Sequence, residues 1–182
     1  IRTAPVERLS VQSETVELPL TAMPSPEAVE TDLATTEKEI AELRAQGKPT
    51  DVKQLRCEWA KATLAALRAG TAPRSVPADV QLLRLGDDIA FFAVPGELFV
   101  EVGLKIKHAM GLPGAFVVAY ANGCMAYFPS RRAEEWGWCA HDETYKFSPY
   151  PANFAGSVED VLVSAARELV LQTNGEPHEN KA

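Results

Sequence analysis

The chain has 182 residues, of which 46% are hydrophobic, so it can bury a substantial core in one domain or the larger part of one. Its formal net charge of -7 and its pI near 5.0 argue against nucleic-acid binding, which requires a basic face. No apolar stretch approaches the roughly 18 residues of a membrane-spanning helix, so we expect no transmembrane segment.

The first element in chain order is an extended segment. Alternating polar and apolar residues predict a β-strand over residues 11–20, with Val16, Leu18 and Leu20 on one face. Because Pro19 has no amide hydrogen to donate, we expect this strand to lie at the edge of a sheet.

Two amphipathic helices follow this strand. Ser25 is a good N-cap for a helix that ends near Gln46, and a second helix is predicted from Thr50 to Gly70. We expect the pair to form an antiparallel hairpin that lies against the sheet. The side chains predicted to be buried on the second helix are Val52, Leu55, Trp59, Leu64 and Leu67.

The middle of the chain has the pattern of a strand pair followed by a strand–helix–strand unit. Two strands are predicted over residues 80–85 and 89–94, joined by a tight turn. A helix over 97–110 and a buried strand over 115–121 follow. Because 89–94 is almost entirely apolar, we expect this strand to be covered on both faces and to pair in parallel with the next.

The C-terminal third begins with a long irregular segment. Residues 130–156 are rich in aromatic side chains and proline, which is typical of a lid or of a wall beside a site. An amphipathic helix is predicted over 158–171. We expect one domain over residues 1–172, entered by a linker over 1–9, and a flexible tail over 173–182.

Two short segments place polar side chains where buried strands end. Residues 94–97 have the sequence VPGE, and residues 121–129 begin with ANG. Glu97 and Tyr127 therefore lie where α/β proteins tend to build sites. The simpler interpretations stay open: Glu97 complements a helix dipole, Tyr127 is an ordinary strand aromatic, and Asn122 bonds to its own backbone.

The remaining reactive side chains form no recognisable catalytic set. The histidines at 108, 141 and 178 lack metal-binding spacing, and only His141, beside two acidic residues, is expected to face a cleft. The three cysteines lack CxxC spacing. Cys57 is predicted to be a core residue, and a disulfide between Cys124 and Cys139 stays open. A serine triad and a phosphate-binding glycine loop have no support in this chain.

With a VPGE element followed at this spacing by an ANGxxxY element, the sequence resembles the neutral/alkaline non-lysosomal ceramidase family. The resemblance is good over residues 76–172 and looser over 10–70, and it corresponds to the C-terminal part of that family's catalytic domain. The VPGE element alone is not specific. Its combination with a tyrosine at the later position is considerably more so.

This resemblance implies a zinc ion held by two histidines, a glutamate and a tyrosine, and hydrolysis of the amide bond of N-acylsphingosine. By position, Glu97 and Tyr127 match the glutamate and tyrosine ligands. The two histidines and the active-site serine of the family have no counterpart here. Cys124 also stands where an aromatic residue is common, which puts the lipid substrate in doubt more than the metal.

We therefore expect an α/β fold, with a layered mixed sheet and flanking helices, that forms part of a larger ceramidase-like catalytic domain. The expected activity is zinc-dependent amide hydrolysis by metal-activated water. Because the implied site is only half present in this chain, we expect an N-terminal segment or separate chain, released from one precursor by cleavage before Ile1, to supply the two histidine ligands. We also expect an oligomer and, from the resemblance, export from the cytoplasm.

Within this site, Asn122 and His141 are predicted to bind substrate. Two other functions remain open. One is a metal-dependent hydrolase of a small non-lipid amide or ester, because the aromatic segment is also suited to a sugar or an aryl group. The other is a non-catalytic assembly subunit, in which Glu97 and Tyr127 are structural.

Overall fold

The computed structural model of the chain describes residues 8–175, so most of the predicted linker and tail lie outside the described residues. Within them, the first strand begins inside the predicted linker and the last helix continues beyond its predicted end. The elements in order are β1 Leu9–Pro19, α1 Pro26–Ala45, α2 Asp51–Ala69, β2 Ser75–Leu85, β3 Ile89–Ala93, β4 Glu97–Leu98, α3 Val100–Met110, β5 Gly114–Val118, β6 Tyr127–Phe128, α4 Arg131–Glu135, α5 Trp138–His141, a 3-10 turn Thr144–Phe147 and α6 Val158–Gly175.

A mixed four-stranded sheet with flanking helices organises the molecule, which confirms the predicted α/β class. Its strand order is β1-β2-β3-β5. The first two pairings are antiparallel and the third is parallel, as predicted for a strand–helix–strand unit. β1 lies at the sheet edge, as expected from Pro19. A separate parallel ladder of β4 and β6 continues beyond the ends of β3 and β5.

Helices α3 and α6 cover one face of this sheet and form the main core with it. Fully buried side chains of this core include Leu18, Val80, Leu82, Phe92, Ile106 and Leu162. Each such side chain stabilises the fold by about 1.5–3 kcal/mol relative to its exposed state. The core therefore fixes the ends of β3 and β5, from which the candidate site is built.

Helices α1 and α2 form the predicted hairpin but build a small core of their own. That core contains Val29, Ala60 and Leu64 together with Trp59, whose indole nitrogen donates a hydrogen bond of 2.9 Å to the Tyr150 carbonyl. The hairpin is thus attached to the aromatic segment rather than layered on the sheet core. The predicted N-cap is confirmed, since the Ser25 hydroxyl accepts from the Ala28 amide at 3.2 Å.

Some residues predicted to be buried are exposed. Val52 and Leu55, at the start of α2, are 63% and 51% exposed, because the small core forms only over the middle of that helix. In β5, Phe116 and Val118 are 46% and 41% exposed, so this strand is covered on one face and not on both.

The segment over 130–156 contains more regular structure than predicted. Two short helices, α4 and α5, and a 3-10 turn occupy its first half. α4 starts because the buried Ser130 hydroxyl accepts a hydrogen bond of 3.1 Å from the Ala133 amide. Within residues 8–175, no helix has the length and apolar content needed to cross a bilayer.

Candidate metal site

Glu97 and Tyr127 are register partners in the short parallel ladder of β4 and β6. The Glu97 amide donates to the Ala126 carbonyl at 2.9 Å, and the Phe99 amide donates to the Phe128 carbonyl at 3.1 Å. These bonds hold the backbone around Glu97 extended, so α3 begins only at Val100. The prediction of a helix that starts at Glu97 is therefore wrong, and so is the alternative that Glu97 complements a helix dipole.

The turn before Glu97 is fixed by the loop that follows β5. The Met125 amide donates to the Pro95 carbonyl at 2.7 Å, and the Tyr120 amide donates to the Gly96 carbonyl at 3.1 Å. Gly96 itself lies against a buried ring: a Cβ there would be 2.5 Å from two ring carbons of Phe128. The glycine of VPGE is thus required by this close approach, and the two candidate ligands share one rigid frame.

A second phenol lies beside the Glu97 carboxylate. Tyr120 follows β5 in a left-handed conformation, with φ of 57°, and is 51% exposed. Its hydroxyl donates a hydrogen bond to Glu97, and this bond, with burial and the charge of the carboxylate, raises the pKa of Tyr120 to about 12. The negative charge of Glu97 is also the main cause that raises the pKa of Tyr127.

The site therefore consists of one carboxylate between two protonated phenols. Hard cations and zinc accept carboxylate oxygen as a ligand, and a bound cation lowers the pKa of a phenol that coordinates it. Without a cation, Glu97 favours the neutral form of both phenols. Glu97 and Tyr127 would thus fit one side of a zinc ion, which would favour the deprotonated form of the Tyr127 phenol.

The described residues do not complete the coordination shell of such an ion. Between residues 8 and 175 no group of three or more His, Cys, Asp or Glu side chains is arranged to hold a metal ion.

Two aromatic rings, those of Trp138 and Phe99, pack against Tyr127. Trp138, at the start of α5, meets Tyr127 edge to face with centroids 5.6 Å apart, and meets Phe99 in the same manner at 4.7 Å. Phe99 and Tyr127 are themselves 6.3 Å apart at an interplanar angle of 89°. Trp138 belongs to the aromatic segment over 130–156, and together with Phe99 it restricts the orientation of the Tyr127 ring.

The two predicted substrate-binding residues lie around this cluster and not within it. Asn122 is exposed, has φ of 63°, and its amide donates to the Gln81 side-chain oxygen at 2.9 Å. That bond joins the loop after β5 to β2. His141 is exposed at the C-terminal end of α5, with its ring beside Gly137. Roles for both in substrate binding stay predictions.

The cysteines contribute no disulfide to this region. All three are free thiols; Cys57 is buried, as predicted, and Cys124 is exposed. Burial raises the pKa of Cys139 to about 11, so this thiol is protonated at neutral pH and is a poor nucleophile. The disulfide that the sequence left open is absent from the structure.

Sequence reasoning missed Tyr120. The strand was predicted to run, buried, up to residue 121, whereas β5 ends at Val118 and Tyr120 lies in the left-handed turn that follows. The alternation of the strand therefore does not extend to Tyr120, and its position directly before the ANG turn is the one local signal.

Comparison with solved structures gives a distant likeness. The chain is similar to the crystal structure of neutral ceramidase from Pseudomonas aeruginosa, with a TM-score of 0.44 and 18% sequence identity, over 95% of this chain and 30% of that one. The chain thus spans less than a third of the length of that protein. No family model and no curated protein matches it. A likeness this distant does not establish a family.

Proposed function

We propose that the chain is the C-terminal part of a zinc-dependent hydrolase that cleaves an amide bond, with Glu97 and Tyr127 as two of the metal ligands. The observation that carries this proposal is their register pairing in the β4–β6 ladder. The spacing of VPGE and ANGxxxY, which resembles the ceramidase family, supports it. Zinc in such a site would polarise the scissile carbonyl and make hydroxide available near neutral pH.

The residues of this chain have separate tasks in the proposed site. Glu97 provides a carboxylate oxygen, and Tyr127 provides a phenolic oxygen after losing its proton to solvent. Tyr120 keeps its proton and orients the carboxylate through the hydrogen bond that it donates to Glu97. Trp138 and Phe99 exclude water from one side of Tyr127 and limit its rotation.

The remaining ligands come from an N-terminal segment or chain, which we propose contributes two histidines. A long-chain N-acyl amide is the substrate that the resemblance favours. The same chemistry also acts on a small non-lipid amide or ester, and the half-exposed Tyr120 leaves room for a polar group beside the site.

The second candidate function is a non-catalytic assembly subunit. One observation favours it, namely that residues 8–175 hold no complete metal-binding cluster. In that case Glu97 serves to anchor Tyr120 and Tyr127 through its carboxylate.

Metal analysis of matched variants separates the two candidates. The protein is isolated from its natural source with everything that co-purifies, as wild type and as Glu97→Gln, Tyr127→Phe and Glu101→Gln. Glu101 lies on the first turn of α3 and is the control for loss of a nearby acid. We expect bound zinc and amidase activity in wild type and in the control, and loss of both in the other two variants with unchanged circular dichroism. Undiminished zinc and activity in both site variants, or an active metal-free preparation, would contradict the proposal.

A further inference from the structure

Over most of its length, β1 has a strand partner on one side only within residues 8–175. It pairs with β2 without a bulge from Leu9 to Pro19. Just beyond this ladder, the Leu20 amide donates at 2.9 Å to the Arg74 carbonyl, on the side of β2. The Pro19 carbonyl accepts at 2.9 Å from the Ala155 amide, on the opposite side. Because these directions alternate along an antiparallel strand, the amides and carbonyls of the odd-numbered residues between 11 and 17 point away from β2, along what we call the free edge.

The free edge lacks the features that normally prevent a strand from pairing with another chain. Edge strands are usually short, bulged, or furnished with lysine or proline along their length. β1 is 11 residues long, contains no lysine, and has its one proline at its last position. At that end the edge already forms an antiparallel bridge, between Leu20 and Phe154. The open part of the edge therefore continues a line along which this strand already accepts a partner.

Carboxylates line the groove between the free edge and α6, which we call the acidic groove. Asp160 and Glu168 lie two turns apart on α6 and face the same side of the helix. The groove is lined by four acids and by small or apolar side chains of α6, namely Glu14, Glu17, Asp160, Glu168, Val161 and Ala165. In the described part of the chain, Arg131 is the one base that forms an ion pair with any of these acids, through Asp160. The acidic groove therefore keeps a net negative charge.

The inner face of β1, which packs on α6, carries polar atoms without partners. Ser10, Gln12 and Glu14 follow at intervals of two and point to this face. Each has a buried side-chain oxygen with no hydrogen-bond partner among the described residues. Buried acceptors without donors are uncommon in native proteins. Side chains of an added strand on the same face would lie about 5 Å from these residues, so donors carried there would satisfy the oxygens.

The cations nearest to β1 do not neutralise the acidic groove. Arg8 lies before the start of the strand, donates to the Thr173 carbonyl and is 3.9 Å from Asp87. Arg167 lies on the other side of α6, where it borders a groove shared with His108 of α3. A basic partner is therefore the electrostatic complement of this edge.

The chain itself does not provide such a partner. Antiparallel pairing of β1 with a second copy would bring the glutamates of both strands together, which is unfavourable. The residues after α6, at 176–182, include two glutamates, a proline and one lysine, so they are no better suited.

We propose that the free edge of β1 and the acidic groove bind an extended basic segment of another polypeptide by strand addition. The backbone of this segment pairs with residues 11–17. Its lysine or arginine side chains, at every second position, lie on the inner face and reach Glu14 and Glu168. This interaction surface is separate from Glu97 and Tyr127, so it stands or falls independently of the proposed metal site.

Binding of defined peptides to the full chain tests the inference. The probe is a fluorescent octapeptide of alternating lysine and threonine, with both ends blocked, and a glutamate–threonine octapeptide is the charge control. Two further lysine–threonine peptides carry N-methyl groups, one on its lysines and one on its threonines. Because alternate amides of a strand face opposite edges, exactly one methylated peptide should lose binding if the probe pairs with β1. Binding by charge alone would spare both.

Hydrogen exchange followed by NMR locates the bound probe. In the free chain the amides of Val11, Ser13 and Thr15 should exchange rapidly, and the lysine–threonine probe should protect them. Ser13→Pro removes one donor from the free edge, where proline is tolerated, and should abolish binding with the fold retained.

Charge variants test the acidic groove by fluorescence anisotropy. Glu14→Gln combined with Glu168→Gln should weaken binding of the probe by about fivefold or more, as expected for two exposed ion pairs. Glu42→Gln on α1 is the control and should bind as wild type does.

Three results would overturn the inference. The first is failure of the lysine–threonine probe to bind, and the second is binding that both methylated peptides retain. The third is protection of the odd-numbered amides of β1 in the free chain, which would mean that the chain or a second copy already covers the edge.

Discussion

The Tyr120 hydroxyl donates a hydrogen bond to the Glu97 carboxylate, so Glu97 is shared between the phenol that follows β5 and Tyr127, its register partner. The carboxylate thereby keeps both phenols protonated in the absence of a cation. Any cation that binds here has to compete with protons, so metal affinity should rise with pH.

The shared carboxylate predicts a titration that one substitution changes. In the metal-free chain, Tyr120 should ionise near pH 12, and Glu97→Gln should move this ionisation down towards the ordinary value of about 10. A raised pKa stabilises the fold below the unfolded-state value, and this contribution is lost as the pH rises through about 12. The ultraviolet absorbance of phenolate measures the titration.

Tyr120→Phe assigns this ionisation among the four tyrosines, because it removes the step at highest pH. Glu101→Gln should leave the curve unchanged. A Tyr120 ionisation that stays near pH 12 in Glu97→Gln would contradict the hydrogen bond to the carboxylate.

Gly96→Ala should destabilise the fold by about 1–3 kcal/mol, the usual cost of overpacking a buried position. The new methyl group would lie 2.5 Å from the buried Phe128 ring, which has no room to retreat. Urea unfolding followed by circular dichroism measures the loss. Gly103→Ala is the control, since it meets no atom within 4 Å in the middle of α3, where alanine favours the helix. Equal stability of the two variants would refute the contact.

Acid should weaken the attachment between the helical hairpin and the segment after α5. Hydrogen bonds from Lys146 and Arg56 hold the pKa of Glu143 at about 2. Because the folded-state pKa is lowered, this stabilisation is present above about pH 4.5 and is lost as the pH falls towards 2. Glu143→Gln should therefore flatten the decline in the free energy of unfolding over this interval, as measured by urea titrations at several pH values.

The matched control for this pH dependence is Glu42→Gln. The Glu42 carboxylate lies 4.0 Å from the Lys38 ammonium, which is a long ion pair, and both side chains are largely exposed. Its substitution should leave the profile as in wild type, because such surface pairs contribute little. Identical profiles for both variants would show that Glu143 does not act through its two cations.

Thr173→Val should destabilise the fold by about 1–3 kcal/mol, because it removes one of the hydrogen-bond acceptors of the buried Arg84 guanidinium. The Thr173 hydroxyl accepts from the buried Arg84 guanidinium at 2.8 Å and donates to the Val170 carbonyl at 2.8 Å. Thermal unfolding measures the difference. Thr35→Val, which removes an exposed hydroxyl bonded to its own helix, should change stability far less. A similar effect of the two substitutions would mean that Arg84 does not depend on Thr173.

Features set by local chemistry could be predicted from the sequence. Pro19 placed β1 at the sheet edge because it lacks a donor, and Ser25 fixed the start of α1 because its hydroxyl caps the helix. Both signals act within a few residues of the element concerned. The parallel pairing of β3 and β5 followed from the short connection between them.

Features set by pairing between segments far apart in the chain could not be predicted from the sequence. The residues around Glu97 predict the first turn of a helix. Hydrogen bonds to the β6 segment, far along the chain, override this local helical preference. The apolar composition of β5 indicated burial, yet Phe116 and Val118 are exposed, because composition does not reveal which face of a strand is covered. Tyr120 was missed because the strand ends at Val118 and the left-handed turn that positions Tyr120 depends on hydrogen bonds to the segment before β4.

The separate core of the α1–α2 hairpin has a consequence for how sequence change is tolerated. Since Val29 and Leu64 belong to a core apart from the sheet, conservative substitutions there should leave the strand ends that present Glu97 unchanged. Trp59 is the exception, because its hydrogen bond to the Tyr150 carbonyl ties the hairpin to the aromatic segment.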